Sequence, residues 1–440
     1  MAYDLILKGG TVVNQDGVGR ADLAVTGGRV ARLGDLSGES AGEVVDCTGL
    51  HLLPGVIDSQ VHFREPGAEH KEDLEAGARA AAMGGVTAVF EMPNTNPLTV
   101  TEAEFEAKMA RGRGRMAVDW AFWFGATPEN PEILPEAERL PGCAGVKMFM
   151  GSSTGDLLVS EDAHVARVLA NGRRRVAVHS EEEPRLRERM GLRVAGDPAS
   201  HPVWRDAEAA RMCTERLIRM AREARRRVHV LHISTADELA MLGANKDLIS
   251  CEATPHHLTF SAEDYATLGT LIQMNPPVRG PEHRDAIFEA LRQGVIDVLG
   301  SDHAPHLREE KAAGYPDTPS GMPGVQTLVP VMLDHVAKGR LTLERFVDMT
   351  SAGPLRLFGM AGKGRLSVGY DADVTVADLS ARRVIEDGWI ASKCGWTPYA
   401  GREVTGWPVG TIVRGRRVMW EDELLVEGFG APVRFQEGAG

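Results

Sequence analysis

Five separate stretches of the chain end a short apolar run in a side chain that can bind a metal ion or move a proton. They are Val56-Ile57-Asp58-Ser59-Gln60-Val61-His62-Phe63-Arg64, Val146-Lys147-Met148-Phe149-Met150, Val176-Ala177-Val178-His179, Val228-His229-Val230-Leu231-His232 and Val298-Leu299-Gly300-Ser301-Asp302-His303-Ala304-Pro305-His306. One histidine at a strand end is ordinarily a hydrogen-bonded core residue. Three of them, with an aspartate and a lysine set among apolar neighbours, point instead to a shared metal centre. Imidazole and carboxylate donors without cysteine suit zinc, manganese or a similar cation. Lys147 belongs with them for a different reason. A buried ammonium is costly and its pKa falls. The neutral amine can then add carbon dioxide, and the resulting carbamate would bridge two metal ions through its oxygens.

Such side chains need a scaffold that gathers distant strand ends. Between 54 and 360, short β-branched runs alternate with amphipathic helical stretches, the pattern of a parallel sheet with crossover helices. Strand ends fall near Asp58, Phe90, Trp123, Met148, His179, His232, Ala253 and Asp302. Thr101…Glu104, Thr235…Glu238 and Ser261…Asp264 have capping-box spacing, and Pro281 opens a helix that Gly294 closes. The reading is an α/β fold with a closed (β/α)8 barrel, whose active sites form at the C-terminal ends of the strands. An open doubly wound sheet fits less well, because no strand is followed by a GxGxxG or GxxxxGK[ST] loop. The flanks have another texture, strand-like runs broken by glycine turns at 5–13, 22–25 and 29–33, and again at 373–378 and 410–418. Residues 1–53 and 361–440 are therefore expected to form one small composite β-sandwich from both termini, with 54–360 as the barrel.

The 440 residues suffice for one barrel and a smaller unit. An excess of 62 acidic over 49 basic side chains, a net charge of −13, excludes nucleic acid as the natural partner and leaves a small molecule. Arg225-Arg226-Arg227, the one dense basic run, reads as a solvated helix end. The N-terminus lacks a basic segment leading into an apolar one, and no window approaches the ~18 apolar residues of a membrane span. Cys47, Cys143, Cys213, Cys251 and Cys394 lie far apart, as reduced thiols of a cytoplasmic protein would.

The segment Asp58–Gly67 resembles the dihydroorotase signature, in which two metal-binding histidines flank one residue and an arginine follows two positions later. Met92-Pro93-Asn94-Thr95, Met274-Asn275-Pro276-Pro277-Val278-Arg279 and Ser301–His306 are similar to the same family. The resemblance runs on to Gly369-Tyr370-Asp371-Ala372-Asp373 and Val413-Arg414-Gly415. It implies one or two zinc ions held by His62, Lys147, His179, His232 and Asp302, with Lys147 carbamylated and Asp302 doubling as general acid/base. It places Arg64, Asn94 and His306 on a substrate carboxylate and Asn275 against a pyrimidine ring. The implied activity is reversible hydrolysis of dihydroorotate to N-carbamoyl-aspartate in pyrimidine biosynthesis, and a homo-oligomer is implied as well. The chemistry agrees: a cation polarises the amide and activates water, a carboxylate ferries the proton, and an arginine fork suits a carboxylate. The alternative within the same chemistry is a cyclic amidohydrolase of hydantoinase or dihydropyrimidinase type.

One position departs from that pattern. Gln60 stands where the family carries the first histidine, and an amide oxygen is a weaker ligand for zinc. Three outcomes follow: a two-metal site with Gln60 as ligand or bystander, a single-metal enzyme, or a weak homologue. The last would suit a non-catalytic subunit that scaffolds a partner such as aspartate transcarbamoylase. Because the other ligands match, an active enzyme is the favoured reading. His256 and His257 are assigned a structural role at the barrel mouth, and His303 the shaping of its loop. The Gly/Ser-rich stretch 150–156 is expected at the mouth, and 314–324 is a candidate lid.

Overall fold

The glycine-punctuated opening of the chain folds into β1 (Tyr3–Lys8), β2 (Thr11–Asn14), β3 (Gly17–Arg20), β4 (Asp22–Thr26), β5 (Arg29–Gly34), β6 (Ala41–Asp46) and β7 (His51–Pro54) in the computed structural model, which describes residues 2–153 and 157–436. Gly27 and Gly28 take φ of 58° and 75°, the left-handed pair that a two-residue hairpin between β4 and β5 requires. The barrel strands follow: β8 (Val56–Val61), β9 (Val86–Glu91), β10 (Asp119–Gly125), β11 (Cys143–Phe149), β12 (Val176–His179), β13 (Val228–Val230), β14 (Ile249–Ala253) and β15 (Val298–Leu299). They pair in sequence order, every pair parallel. All their residues are buried, which is why they read as continuous apolar runs rather than alternating ones. The ring closes beyond the last strand: Val61 bridges His303, and the His62 N–H donates to the His303 carbonyl at 2.7 Å.

Inside the barrel, Ile57, Ala88, Phe90, Ala121, Trp123, Ala144, Ala177 and Leu231 pack around Phe358 and Met360 as an apolar floor. Outside, the helix Ala207–Ala224 starts at Asp206, whose side chain accepts from the Ala209 N–H, and stops where Arg225 turns left-handed at φ 53°. The basic run that follows is not a solvated end throughout. Arg226 is buried and pairs with Glu138 at 3.1 Å, since the helix terminus packs onto the loop after β10 and needs a counter-ion there.

The chain finishes with β16 (Val374–Val384), β17 (Glu403–Val413), β18 (Arg416–Trp420) and β19 (Glu423–Leu424). These join the N-terminal strands in one sheet of order β19-β18-β17-β16-β7-β2-β3, while β5-β4-β1-β6 form a second sheet alone. Leu5, Leu7, Leu23 and Val25 of the second sheet meet Leu52, Val374, Val376 and Ile412 of the first. Neither face has another apolar surface of that size to cover it, so the two termini are held together by the hydrophobic effect. An ionic lock joins the sandwich to the barrel: Lys363 reaches Asp119 on β10 and Asp373, each at 2.6 Å, and Arg414 pairs with Asp119 as well. No helix among the described residues is long and apolar enough to cross a membrane.

Candidate active site

The C-terminal ends of the strands surround a cavity. Gln60, His62, Arg64, Asn94, Lys147, His179, His232, Asn275 and Asp302 line it, joined by Phe149, Ser153, Ala304, Ser320 and Gly321. Eight of the nine site residues expected from sequence therefore meet at one mouth; His306 stands just behind it. Three of them carry left-handed backbone, Arg64 at φ 63°, His232 at 36° and Asp302 at 49°. Non-glycine residues take such angles at a cost of roughly 1–3 kcal/mol, and they cluster where geometry serves chemistry.

The donors gather in two pairs because they come from two neighbouring pairs of strands. Across the β8/β15 seam, His62 Nε2 lies 3.2 Å from Asp302 Oδ1, and the His62 Nδ1 faces Asn94 Oδ1 at 2.8 Å. Gln60 Nε2 donates to the same Asp302 oxygen at 3.0 Å. Burial alone would raise the Asp302 carboxyl, but the His62 hydrogen bond and the neighbouring His232 and Lys147 hold it at about 2. Beyond β12 and β13, His179 Nδ1 lies 3.2 Å from His232 Nε2. His179 Nε2 is turned to Glu181 at 2.8 Å, and Glu181 is paired in turn with Arg205. Burial pushes both imidazoles down, so they are neutral donors at neutral pH. Lys147 lies on β11 with Nζ 4.3 Å from the Phe149 ring centre, and burial lowers its ammonium to about 7 against the charges of Asp302 and Glu252.

Among the described residues, no group of three or more His, Cys, Asp or Glu side chains is arranged to hold a metal ion. The sequence reading put five ligands on the metal; they line one cavity as two pairs, His62 with Asp302 and His179 with His232, and Lys147 lines it with them. The pair His179/His232 nevertheless fits a cation. Two ring nitrogens 3.2 Å apart match the edge of a tetrahedron, roughly 3.3 Å for bonds of about 2.0 Å. The outward ring nitrogen of His179 is fixed by a carboxylate, as metal-bound imidazoles require.

The other side of the mouth holds a buried guanidinium. Arg64 donates from Nε to the Pro305 carbonyl at 3.2 Å and has no carboxylate within ion-pair distance among the described residues. Burial lowers its guanidinium to about 10, which still leaves it charged at neutral pH. His306 Nε2 stands 3.2 Å from an Arg64 nitrogen, which can only donate. The Ser320 carbonyl lies 3.2 Å from the same ring nitrogen, and the Lys71 ammonium lies 3.3 Å from Nδ1. Arg64 is thus a buried cation with N–H groups left over.

Sequence reasoning missed several contributors. Glu181 and Arg205 orient His179, His201 holds Asn275 Oδ1 at 2.9 Å, and Lys311 pins the 318–321 loop through the carbonyls of Pro319 at 2.8 Å and Gly321 at 2.9 Å. Only Glu181 had a signal, a carboxylate two residues past a strand-end histidine. His303 shapes its loop as expected, accepting from the Gly324 N–H at 3.0 Å. His257 faces the Pro276 carbonyl at 3.1 Å, beside Asn275. Of the stretch 150–156, Ser153 reaches the cavity, while Thr154, Gly155 and Asp156 lie outside the described residues. Of 314–324, Ser320 and Gly321 reach it.

A parallel eight-stranded barrel with imidazole, carboxylate and lysine side chains at the strand ends defines a barrel hydrolase. Residues 51–418 match the model of the amidohydrolase family, and the chain belongs to that family. It is 39% identical to a dihydroorotase of Halobacterium salinarum, over 94% of this chain and 96% of that one. It is 32% identical to an allantoinase of Deinococcus radiodurans, over 96% and 97%. It superposes on the L-hydantoinase of Arthrobacter aurescens with a TM-score of 0.93 at 31% identity, over 98% of this chain and all of the other. The chain is thus related to dihydroorotases, hydantoinases and allantoinases alike, and the signature read at Asp58–Gly67 does not by itself single out the first of them.

Proposed function

We propose that the protein opens a cyclic amide by hydrolysis and that its substrate ring carries a carboxylate, dihydroorotate being the reading that fits best, with N-carbamoyl-aspartate as product. The observation that carries this is Arg64, buried at the mouth with N–H groups to spare and no carboxylate at ion-pair distance among the described residues. A buried guanidinium is stable only when paired, and a ring carboxylate would supply the missing half as a charge-assisted pair. Asn94 and Asn275 border the same cavity and orient the rest of the ring. Run in reverse, the reaction closes the ring, the direction that serves pyrimidine synthesis.

Zinc at His179 and His232, with Lys147 as carbamate, is the cofactor this reading requires; when bound, it polarises the amide carbonyl and lowers the pKa of water. Asp302 begins ionised. Its Oδ1 is engaged by Gln60 and His62, so Oδ2, which has no partner among the described residues, takes the proton of the attacking water and gives it to the departing ring nitrogen. Glu181 keeps the Nδ1 of His179 turned to the cavity. The superposition on an L-hydantoinase favours the second reading, a ring without a carboxylate.

The two separate in one assay of zinc-supplemented, bicarbonate-treated protein. Turnover of dihydroorotate is expected, and Arg64→Met should lower kcat/KM for it about 100-fold, the ~3 kcal/mol of a charge-assisted pair, while hydantoin turnover is unchanged. Equal turnover of hydantoin, insensitive to Arg64→Met, would overturn the carboxylate reading. No turnover of any ring would favour a scaffolding subunit.

A further inference from the structure

Gln60 lies on β8, one strand position before Val61 bridges the seam, and it is buried. Its amide nitrogen donates to Asp302 Oδ1 at 3.0 Å. The reverse orientation is forbidden, since it would set the amide oxygen against a carboxylate oxygen that accepts only. Oδ1 is also the atom that His62 Nε2 faces at 3.2 Å. A cation at this pole would have to share Oδ1 with an N–H pointing at it, and beside Asp302 and a Lys147 carbamate it would find a single imidazole, with the Gln60 N–H where the family pattern puts a second. At the opposite pole nothing intervenes between the nitrogens of His179 and His232 except each other.

We propose that this chain is a one-ion amidohydrolase in which the N–H of Gln60 takes the place of a second cation on Asp302. The inference rests on the metal-assisted reading above and adds the ion count and a role for Gln60. A dication shared by Asp302 would both orient the carboxylate and offset its charge. Gln60 performs the first task wholly and the second in part, by directing a bond dipole at the same oxygen. It leaves Oδ2 for the travelling proton. Gln60 is accordingly a positioning residue, acting through Asp302. One feature stands against a costless substitution: Gln60 Oε1 is buried and has no hydrogen-bond partner among the described residues. A bound metal is the one partner that would reverse the inference, because Oε1 would then be a ligand.

The test counts zinc and needs no substrate. Protein loaded with zinc and bicarbonate is freed of loosely held metal by gel filtration and analysed by plasma mass spectrometry, alongside Gln60→His. One zinc per wild-type chain and two per Gln60→His chain is the expected result. Two per wild-type chain would overturn the proposal and make Oε1 a ligand. One in both would overturn the assignment to Gln60. None in either would overturn it together with the metal half of the proposed function, whereas failure of the substrate reading alone leaves the count unchanged. The wild-type value decides the ion number even if Gln60→His does not fold.

Discussion

The floor and the mouth of the barrel are opposite ends of the same strands, and they are built on opposite rules. Along β8 the chain passes from Ile57 to Gln60, along β11 from Ala144 to Lys147, and along β12 from Ala177 to His179. At the floor, Phe90 and Trp123 meet Phe358 edge-on at 5.6 and 5.5 Å, and the Trp123 indole N–H is satisfied by the Ser59 carbonyl at 3.1 Å. At the mouth, three residues carry left-handed backbone, Gln60 Oε1 and His232 Nδ1 lack hydrogen-bond partners, and Arg64 has no carboxylate at ion-pair distance, all among the described residues. Stability and chemistry are thus separated by a few residues along each strand. The strain of one end is tolerated because the other is consistent at every level.

Three substitutions would break or sharpen that contrast. Asp302→Asn removes the proposed proton carrier at the mouth and should lower kcat roughly 10³-fold, while circular-dichroism melting stays within a few degrees of wild type. A collapse of the fold instead would mean that the mouth carries stability after all. Phe358→Ala at the floor should do the reverse. It is expected to cost about 3–5 kcal/mol, read as a lowered Tm, with KM and the zinc content of the surviving folded protein unchanged. The smallest effect belongs to the border between the two regions, at Glu181→Gln, about 2–3 kcal/mol at neutral pH. Burial raises the Glu181 carboxyl, but the Arg205 charge and the His179 hydrogen bond hold it far below the usual carboxylate range. A carboxyl with a depressed folded pKa contributes fully above its unfolded value of about 4.3 and loses that contribution as pH falls towards the folded one. The Tm gap between wild type and Glu181→Gln should therefore be flat from about pH 8 to 5 and close in acid below about pH 4. A gap that widens in acid would remove the ion pair as its cause.

The barrel was legible because each strand is buried on both faces and carries its apolar run to a reactive end. Thr101 and Ser261 form the capping boxes that their spacing predicts. Thr235 does not: its hydroxyl accepts from the Asp237 N–H and contacts His283, and Glu238 is buried against the Thr214 hydroxyl instead. The short strands β3, β6 and β7 were not read from sequence, since their stability comes from partners across the sheet rather than from their own pattern. At the site, the strand-end residues were visible because each sits within its own local run. Arg205 on Glu181 and His201 on Asn275 were not, because each pair joins a side chain to a loop through tertiary contact alone. The contacts of His306 with Arg64, Lys71 and Ser320 likewise join positions that no local pattern connects.

The seam where the barrel closes has a consequence for how the enzyme comes into being. Val61 meets His303, and a little further out His62 meets Asp302, so the first and last βα units must find each other before Asp302, the proposed proton carrier, has its partner. The flanking sheet obeys the same constraint, with Leu53 on β7 in register with Thr375 on β16. Contacts this distant in the chain form late, because the intervening loop must be closed before they repay its entropy. A nascent chain emerging from the ribosome would thus bring His179 and His232 together while still lacking Asp302, and so would remain silent towards substrate. Competence would arrive in a single late event, when the two ends of the polypeptide dock.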